Sequence, residues 1–596
     1  MQLRFQAHDI SRTDRPDGSV LLRAREPLQP ATRRTTDWLD FWAEETPNAI
    51  FLAERSAMGW REIAYRQARA AARGVASGLI HLGLTSETPV LILSGNSVAH
   101  GLLALGAQYV GIPIVPIAEQ YARLPEAHGH IDDIVHLVRP GAVFVEDLAI
   151  AADLLARPTL KDLYHLSPST MAKIANIGTE RRVNVGSFHA AVGPETIAKI
   201  LMTSGSTSAP KGVLTTHKMM CTNQAQLSQA LPLLGARRPV LVDWLPWNHV
   251  FGGSHNFNLV LSNGGTLYID AGKPVPGLID TTLRNNRNQR ATISFNVPQG
   301  FAALRDAMAV DAAFADAFFA DLDMLFYAGA SLPQDVWDDL HEMAHRARPG
   351  RDMPLFTSSW GLTETAPAAV LQHEPTDQAG VVGVPLPGVD VKLVPVEEEA
   401  GRFGIRVRGP SVFQGYFNDP GRSDEAFDEE GYFITGDAMR FVDPSSPSRG
   451  LRFDGRLSED FKLQSGTWVR AAALRLQVLD RLQGLAQDVV LTGEGRQEVG
   501  VLIVPSPDLR HIATEDAGAM RLSDQARIAD ALAGMSGGVS ARISRALILA
   551  EPPSIARGEI TAKGNLNLAR LRQHRSDLLA RLYDDTDPAT ILIGGV

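Results

Sequence analysis

Cysteine is almost absent. Cys221 is the single one among 596 residues, which excludes an intramolecular disulfide framework and a cysteine-rich zinc module. Such usage fits a reducing, cytoplasmic compartment. Long apolar runs are missing too. The most apolar stretch, residues 98–118, is broken by Gly101, Gly106, Gly111, Pro113 and Pro116, whereas a membrane span wants about 20 mostly apolar residues. It reads as a buried helix followed by a buried strand. The opening residues, MQLRFQAHDISRTDRPDG, hold no apolar core of a secretory signal. A basic excess is also lacking. Lys and Arg number 57 against 67 Asp and Glu, a net charge of −10, which argues against a protein that coats nucleic acid. With 44% apolar and 21% charged residues, the chain has ordinary globular composition and can bury large cores.

What is present alternates. Residues 1–35 are polar and Arg-rich without a clear period, and read as an extension on the surface. Residues 60–82, Ala-rich with Arg on one side, predict an amphipathic helix. Short apolar runs at 89–93 (PVLIL), 239–244 (PVLVDW), 266–269, 291–296, 323–326 and 353–357 predict strands covered on both faces. Helix-length segments between several of them imply parallel sheets with right-handed crossovers. Ligands of such sheets bind at the carboxyl ends of the strands. From 383 to about 455 short strands alternate with Gly and Pro, as in a small, mostly antiparallel subdomain. The expected organisation is therefore α/β: an extension (1–35), a large domain (36–456, with its β-rich part at 383–455) and a smaller α/β domain (457–596).

The sharpest local signal is LMTSGSTSAPKGVLTTH, residues 201–217. Hydroxyls and bare amides in a Gly-containing turn make an anion nest, and Lys211 adds a point charge. It is not a Walker loop, since Pro210 precedes the lysine. The string resembles the phosphate-binding signature of the adenylate-forming superfamily, which holds acyl-CoA synthetases, firefly-type luciferases and peptide-synthetase adenylation domains. Ser208 stands where that family usually has Gly. Further motifs follow in the family's order. FYAGASLP (326–333) resembles the loop on which adenine lies, SSWGLTET (358–365) the aromatic-G-x-T-E motif, and YFITGD (432–437) the ribose motif. Gly455 and Arg456 resemble the hinge arginine, and GEITAKG (558–564) the loop of the catalytic lysine.

The resemblance implies a fold and a set of roles. The fold is a large N-terminal α/β domain of parallel-type sheets with a small β-barrel subdomain, then a mobile C-terminal domain. Thr203, Ser204, Gly205, Ser206, Thr207 and Lys211 would hold the ATP phosphates. Gly329, Ala330, Ser331, Trp360 and Gly361 would hold adenine, and Asp437 with Arg456 the ribose. Thr363 would reach the α-phosphate, Glu364 would hold Mg²⁺, and Lys563 would stabilise charge in the transition state. The reaction implied joins a carboxylic acid to AMP, releases pyrophosphate and passes the acyl group to a thiol. Gly466, Thr467 and Trp468 are the candidate thiol face for coenzyme A. A carrier protein's phosphopantetheine stays open as acceptor. The hinge residue is Ser458 or Glu459.

For the acid, DWLPWNHVFGG (243–253) lies after a strand, with His249 at the position of the family's gate. Together with SHNFN (254–258) and FKLQSGTW (461–468) it resembles the feruloyl-CoA synthase branch. Trp247, His249, Phe251 and Asn258 are the candidate acyl pocket, for an aromatic acid such as a hydroxycinnamate. Core packing is the alternative role for these aromatics, and another aryl or fatty acid is the alternative substrate. The oligomeric state stays open, a homodimer included. Two other motifs compete. His341 and His345 fit H-E-x-x-H, a zinc-hydrolase pattern, though no third ligand stands at a recognised spacing. Residues 534–538 fit G-x-S-x-G, but a helix-like segment precedes them where a hydrolase elbow needs a strand. A binding protein with a degenerate site is a third reading, against which every charged motif residue is in place.

Overall fold

The computed structural model describes residues 4–181, 183–203, 210–275, 277–396, 399–506, 522–535, 537–554, 557–560 and 566–594. The chain divides into two compact units, residues 1–435 with 440–453, and residues 436–439 with 454–596.

In the first unit the short apolar runs become strands for a simple reason. Successive side chains of a strand point to opposite faces. Val90 and Ile92 feed one hydrophobic cluster with Ile114, Ala142, Phe144 and the helix residues Leu103 and Ala107. Leu91 feeds the opposite one with Val115, Val143 and the helix residues Ile131 and Ile134. Both faces are covered, so no polar alternation is left to read. The result is a six-stranded sheet, in which Ile197–Thr203 runs parallel to its inner neighbour and turns back antiparallel as Lys211–Thr216. The apolar stretch 98–118 is the buried helix Val98–Tyr109 followed by the strand Ile114–Pro116. No helix among the described residues is long and apolar enough to cross a membrane.

A second sheet has four strands, among them Val240–Asp243 and Thr266–Ile269. The third has eleven. Ile293–Asn296, Met324–Tyr327 and Leu355–Gly361 are parallel, and Leu355–Gly361 then pairs antiparallel with Ala368–Leu371. The antiparallel strands of the β-rich part, including Asp390–Pro395 and Phe403–Arg408, continue that same sheet.

Two expectations differ from the structure. Residues 60–82 are not all helix: Gly59–Ala64 is a strand paired with Ile50–Ser56, and the helix is Tyr65–His81. Trp60 pairs across the strands with Arg55, whose guanidinium lies 4.3 Å from the centre of the indole ring. Residues 1–35 are not simply an extension either. Ile10–Asp14 and Val20–Ala24 form a hairpin whose second strand pairs with Asp390–Pro395. Only Val20 and Leu22 point inward, at 4% and 1% exposure, which leaves the hairpin's sequence polar.

The second unit is a four-stranded sheet of Ala486–Thr492, Val499–Pro505, Ile543–Ile548 and Ile591–Leu592. Its helix Ala471–Arg481 buries Leu474 and Val478 against Val489, Val501 and Ile503. Leu22→Ala should cost about 2–5 kcal/mol, as truncation of a buried leucine does. Urea denaturation checks this, and a midpoint unchanged from wild type would return the hairpin to the role of a surface appendage.

Candidate active site

The phosphate-loop motif sits on a hairpin. Thr203 ends one strand and Lys211 begins the next, directly opposite it. Ser204, Gly205, Ser206 and Thr207, with Ser208, lie outside the described residues. Lys211 Nζ stands 5.1 Å from the centre of the Tyr416 ring, a cation–π distance. The Tyr416 hydroxyl donates to Glu364 Oε1 at 3.1 Å. The segment around Tyr416 is pinned from both sides. Phe413 N donates to Glu364 O at 2.8 Å, and Phe417 N donates to Gly212 O at 2.7 Å. Tyr416 therefore joins the lysine of one motif to the carboxylate of another. Burial, then the Glu364 charge, push its phenol above the usual range, so it remains a donor. Nothing in VFQGYFN marks this tyrosine in the sequence, because the contact depends on a strand bridge between Val213 and Tyr416.

Register brings two further motifs side by side. Tyr327 pairs with Ser358 in the parallel sheet, so the loop after Met324–Tyr327 lies beside the end of Leu355–Gly361. Gly329 and Ala330 are exposed on that loop and Ser331 is half-buried. Gly329 has φ +89°, a conformation that favours glycine. Trp360 is 6% exposed. Gly361 is required by contact, since a Cβ there would stand 1.7 Å from the Pro367 carbonyl oxygen. Thr363 and Glu364 follow on the single turn Thr363–Thr365, both half-buried.

Behind the strand Val240–Asp243 the chain folds back tightly. Gly252 and Gly253 approach the carbonyls of Leu245 and Trp247 so closely that a Cβ would lie 2.3 and 2.1 Å from them. The turn Phe251–Asn256 is a π-helix. His249, just before it, is half-buried. Trp247 is 4% exposed and packs edge-on against His100 and Phe257, with ring centres at 5.3 and 4.9 Å. Its indole is thus packed among core rings next to the turn that carries His249. Phe251 joins Phe295 and Phe326 in an aromatic cluster. Asn258 is 3% exposed.

Under this turn lies a group that motif reading passes over. Lys199, 5% exposed, donates to Gly253 O and to Ser254 Oγ at 3.4 Å. Burial alone lowers its pKa to about 7.

The second unit holds the remaining candidates. Arg456 Nε stands 3.5 Å from Asp437 Oδ1, so the two ribose candidates meet. Ser458 and Glu459 share the turn Leu457–Glu459. Gly466 and Thr467 sit at the tip of the hairpin between Phe461–Lys462 and Trp468–Val469, and Trp468 is 39% exposed beneath the Lys462 ammonium. Lys563 lies outside the described residues. The chain to either side of it is anchored. Ile560 bridges Leu566, and the buried Glu559 carboxylate takes two hydrogen bonds from Arg575, at 2.9 and 3.0 Å.

The zinc pattern does not form a site. His341 donates from Nδ1 to Trp337 O and stacks on Phe356 at 3.8 Å, while His345 is exposed. Among the described residues no three His, Cys, Asp or Glu converge as metal ligands would. The helix Leu522–Ala533 precedes residues 534–538, so that motif is no strand-borne elbow; Ser536 lies outside the described residues.

A family model described as AMP-binding enzyme matches residues 39–417. The chain belongs to this family. Among curated relatives it is 29% identical over 373 residues to long-chain-fatty-acid–CoA ligase 1 of Schizosaccharomyces pombe, covering 54% of this chain and 53% of that protein. It is 28% identical over 355 residues to malonate–CoA ligase of Arabidopsis thaliana, covering 56% and 55%. The chain thus spans about half the length of the first curated relatives it matches. Solved structures share the fold. ATP-bound MatB from Rhodopseudomonas palustris superposes with TM-score 0.69 at 21% identity, over 91% of this chain and 99% of that one. The anthranilate CoA ligase AuaEII with anthranoyl-AMP gives TM-score 0.72 at 20% identity, over 93% and 99%.

Lys199 supplies a test that needs no substrate. Its proton leaves near pH 7 in the fold but near about 10.4 in an unfolded chain. Between those values the unfolded state holds more protons, so this group makes stability rise with pH, by at most about 1.4 kcal/mol per unit. Lys199→Met should remove that slope. Urea midpoints of both proteins from about pH 6.5 to about pH 9.5 check it; parallel curves would mean that Lys199 keeps its charge inside the fold.

Proposed function

We propose that the chain is an AMP-forming acid–CoA ligase. It activates a carboxylic acid with ATP and transfers the acyl group to coenzyme A. The observation that carries this reading is the junction of Lys211, Tyr416 and Glu364. A cation from the phosphate loop and a carboxylate suited to Mg²⁺ are held by one aromatic side chain, which is what a triphosphate with its counter-ion needs. The Glu364 turn offers a hard oxygen donor with hydroxyl and carbonyl oxygens around it, and Mg²⁺ is commonly bound through one or two carboxylates plus substrate phosphates. The ion, when bound, supplies charge neutralisation at the phosphates.

In the first half-reaction an oxygen of the acid attacks the α-phosphorus of ATP. The bond to pyrophosphate breaks and acyl-AMP forms. Two anions must meet, so charge stabilisation decides the rate; loss of one preorganised donor at such a site costs about 10²–10³. We assign that donor to Lys563, with Thr363 at the α-phosphate and Asp437 and Arg456 at the ribose. Thr203 to Thr207 with Lys211 carry the phosphates, and Gly329 to Ser331 with Trp360 and Gly361 the base. In the second half-reaction the thiol attacks the acyl carbon and AMP leaves. The exposed Trp468, with Gly466 and Thr467, is the candidate surface for coenzyme A.

The acid is an aromatic one in this reading, with ferulic acid the leading candidate. Support comes from the cluster of Phe251, two residues after His249, with Phe295 and Phe326 and from the anthranoyl-AMP bound in a structural neighbour. The curated relatives, named for long-chain fatty acids and malonate, make an alkanoic acid the second reading.

ATP–pyrophosphate exchange with ferulate, coumarate, caffeate, benzoate and medium-chain acids tests the proposal. Exchange that no acid stimulates would refute it. Lys563→Ala should lower acid-dependent exchange by about 10²–10³, while CoA transfer from supplied acyl-AMP largely survives; equal losses in both steps would remove Lys563 from its role. Asp437→Ala should weaken ATP binding by about 10- to 100-fold, given the usual worth of a hydrogen bond to a charged group. Calorimetry reads it, and an unchanged affinity counts against the ribose assignment.

A further inference from the structure

The helical turn after His249 carries a buried polar group that no role above uses. His255 is 1% exposed, and its Nε2 has no hydrogen-bond partner. Two more buried orphans lie close by in the chain or in contact. Asn258 Nδ2 is three residues on, and Gln224, whose Oε1 is orphaned, donates from Nε2 to the His255 carbonyl at 3.2 Å. Buried polar atoms are nearly always paired, and each exception asks for an explanation, a bound partner among them.

The state of the His255 ring follows from its neighbours. Asp243, 2% exposed, accepts from Leu245 N at 3.1 Å through Oδ1 and from Asn256 Nδ2 at 2.9 Å through Oδ2. An ionised carboxylate can only accept, so it turns the Asn256 amide nitrogen toward itself and the amide oxygen toward His255. That oxygen lies 2.9 Å from His255 Nδ1, which must therefore bear the ring proton. Burial, foremost, lowers the His255 pKa to about 4, so the ring is neutral at ordinary pH. Nε2 is left as a bare lone pair, an acceptor without a donor.

Its surroundings are aromatic. Phe251, Phe295 and Phe326 stand with ring centres 5.5, 5.3 and 5.2 Å from the imidazole. Phe251 is two residues from His249, and Phe326 lies in the strand that leads to Gly329 and Ala330. The lone pair is thus a polar point among three aromatic rings, one of which, Phe251, is a candidate acyl-pocket residue. A group that fits such a point offers a hydrogen and otherwise presents flat apolar surface.

We propose that His255 Nε2 accepts a hydrogen bond from a ring hydroxyl of the acyl substrate, which makes His255 a specificity-determining residue for hydroxylated aromatic acids. This rests on the acid-ligase reading. The chemistry separates close analogues. A phenol offers the hydrogen, a methyl ether of the same position offers none and adds bulk, and the unsubstituted ring leaves Nε2 unpaired as before. Sites built to hydrogen-bond a substrate hydroxyl reject the analogue lacking it by far more than apolar pockets discriminate by size.

The test compares 4-hydroxycinnamate, 4-methoxycinnamate and cinnamate by ATP–pyrophosphate exchange at about pH 8. There Asp243, whose pKa burial raises to about 7, is ionised. For the wild-type chain, kcat/KM for the hydroxy acid should exceed that for each of the other two by about 10⁴-fold, the scale of hydroxyl-reading sites. In His255→Leu the ratio should collapse below about tenfold, and in His255→Gln, which keeps an acceptor, it should partly return. Wild-type preference for cinnamate or the ether, or equal use of all three, overturns the proposal whatever the variants do. So does a ratio that His255→Leu leaves intact. Exchange with alkanoic acids but no cinnamate overturns it while leaving the ligase reading standing; exchange with no acid at all removes both.

Discussion

The strand Leu355–Gly361 has parallel pairing on one edge and antiparallel pairing on the other. The adenine-type loop and the turn of Thr363 and Glu364 depend on that dual pairing. The parallel edge sets the adenine-type loop beside Trp360 and Gly361. The antiparallel edge brings the chain back so closely that position 361 tolerates no side chain. The turn of Thr363 and Glu364 follows at once, held at a place where the sheet changes its pairing. Side chains set at such strand ends inherit the rigidity of the sheet, and short turns give them little freedom to wander.

Tyr416 then adds what the sheet alone does not. It lies under the ammonium of Lys211 and donates to Glu364. Opposite charges that must both face a polyanion and a metal would otherwise be drawn to each other. An aromatic spacer with one hydroxyl keeps the cation and the carboxylate near, each with a favourable contact. The turn after His249 follows a similar logic. Lys199 meets backbone and hydroxyl oxygen there without an ion pair to either, and Asp243, Asn256 and His255 form a chain of single hydrogen bonds. Buried polar chains of this kind specify geometry more than they add stability.

Much of this was legible in the sequence, for identifiable reasons. Strands such as Met324–Tyr327 and Val499–Pro505 stand out because burial on both faces leaves an unbroken apolar run between polar turns. The motifs at Thr203, Gly361, Glu364 and Asp437 were legible because each combines a residue type with a fixed neighbour spacing. Tyr416, Lys199 and His255 were not, because their meaning lies in contacts between distant segments. A lysine inside the apolar run IAKILM gives no hint that Gly253 O receives it. Trp247 illustrates a different limit, because an aromatic beside a gate residue reads the same in sequence whether it lines a cavity or fills one. The hairpin at Ile10–Asp14 and Val20–Ala24 escaped because only two of its side chains face the core.

That hairpin ties the order of synthesis to the order of assembly. Arg23 and its partner Asp390 are 367 residues apart in the chain, yet they hold adjacent strands together. At about 5–20 residues per second of translation, the segment waits on the order of half a minute outside the ribosome before its neighbour exists. Its polar composition suits that interval, since an apolar strand left unpaired so long would be prone to stick to other nascent chains.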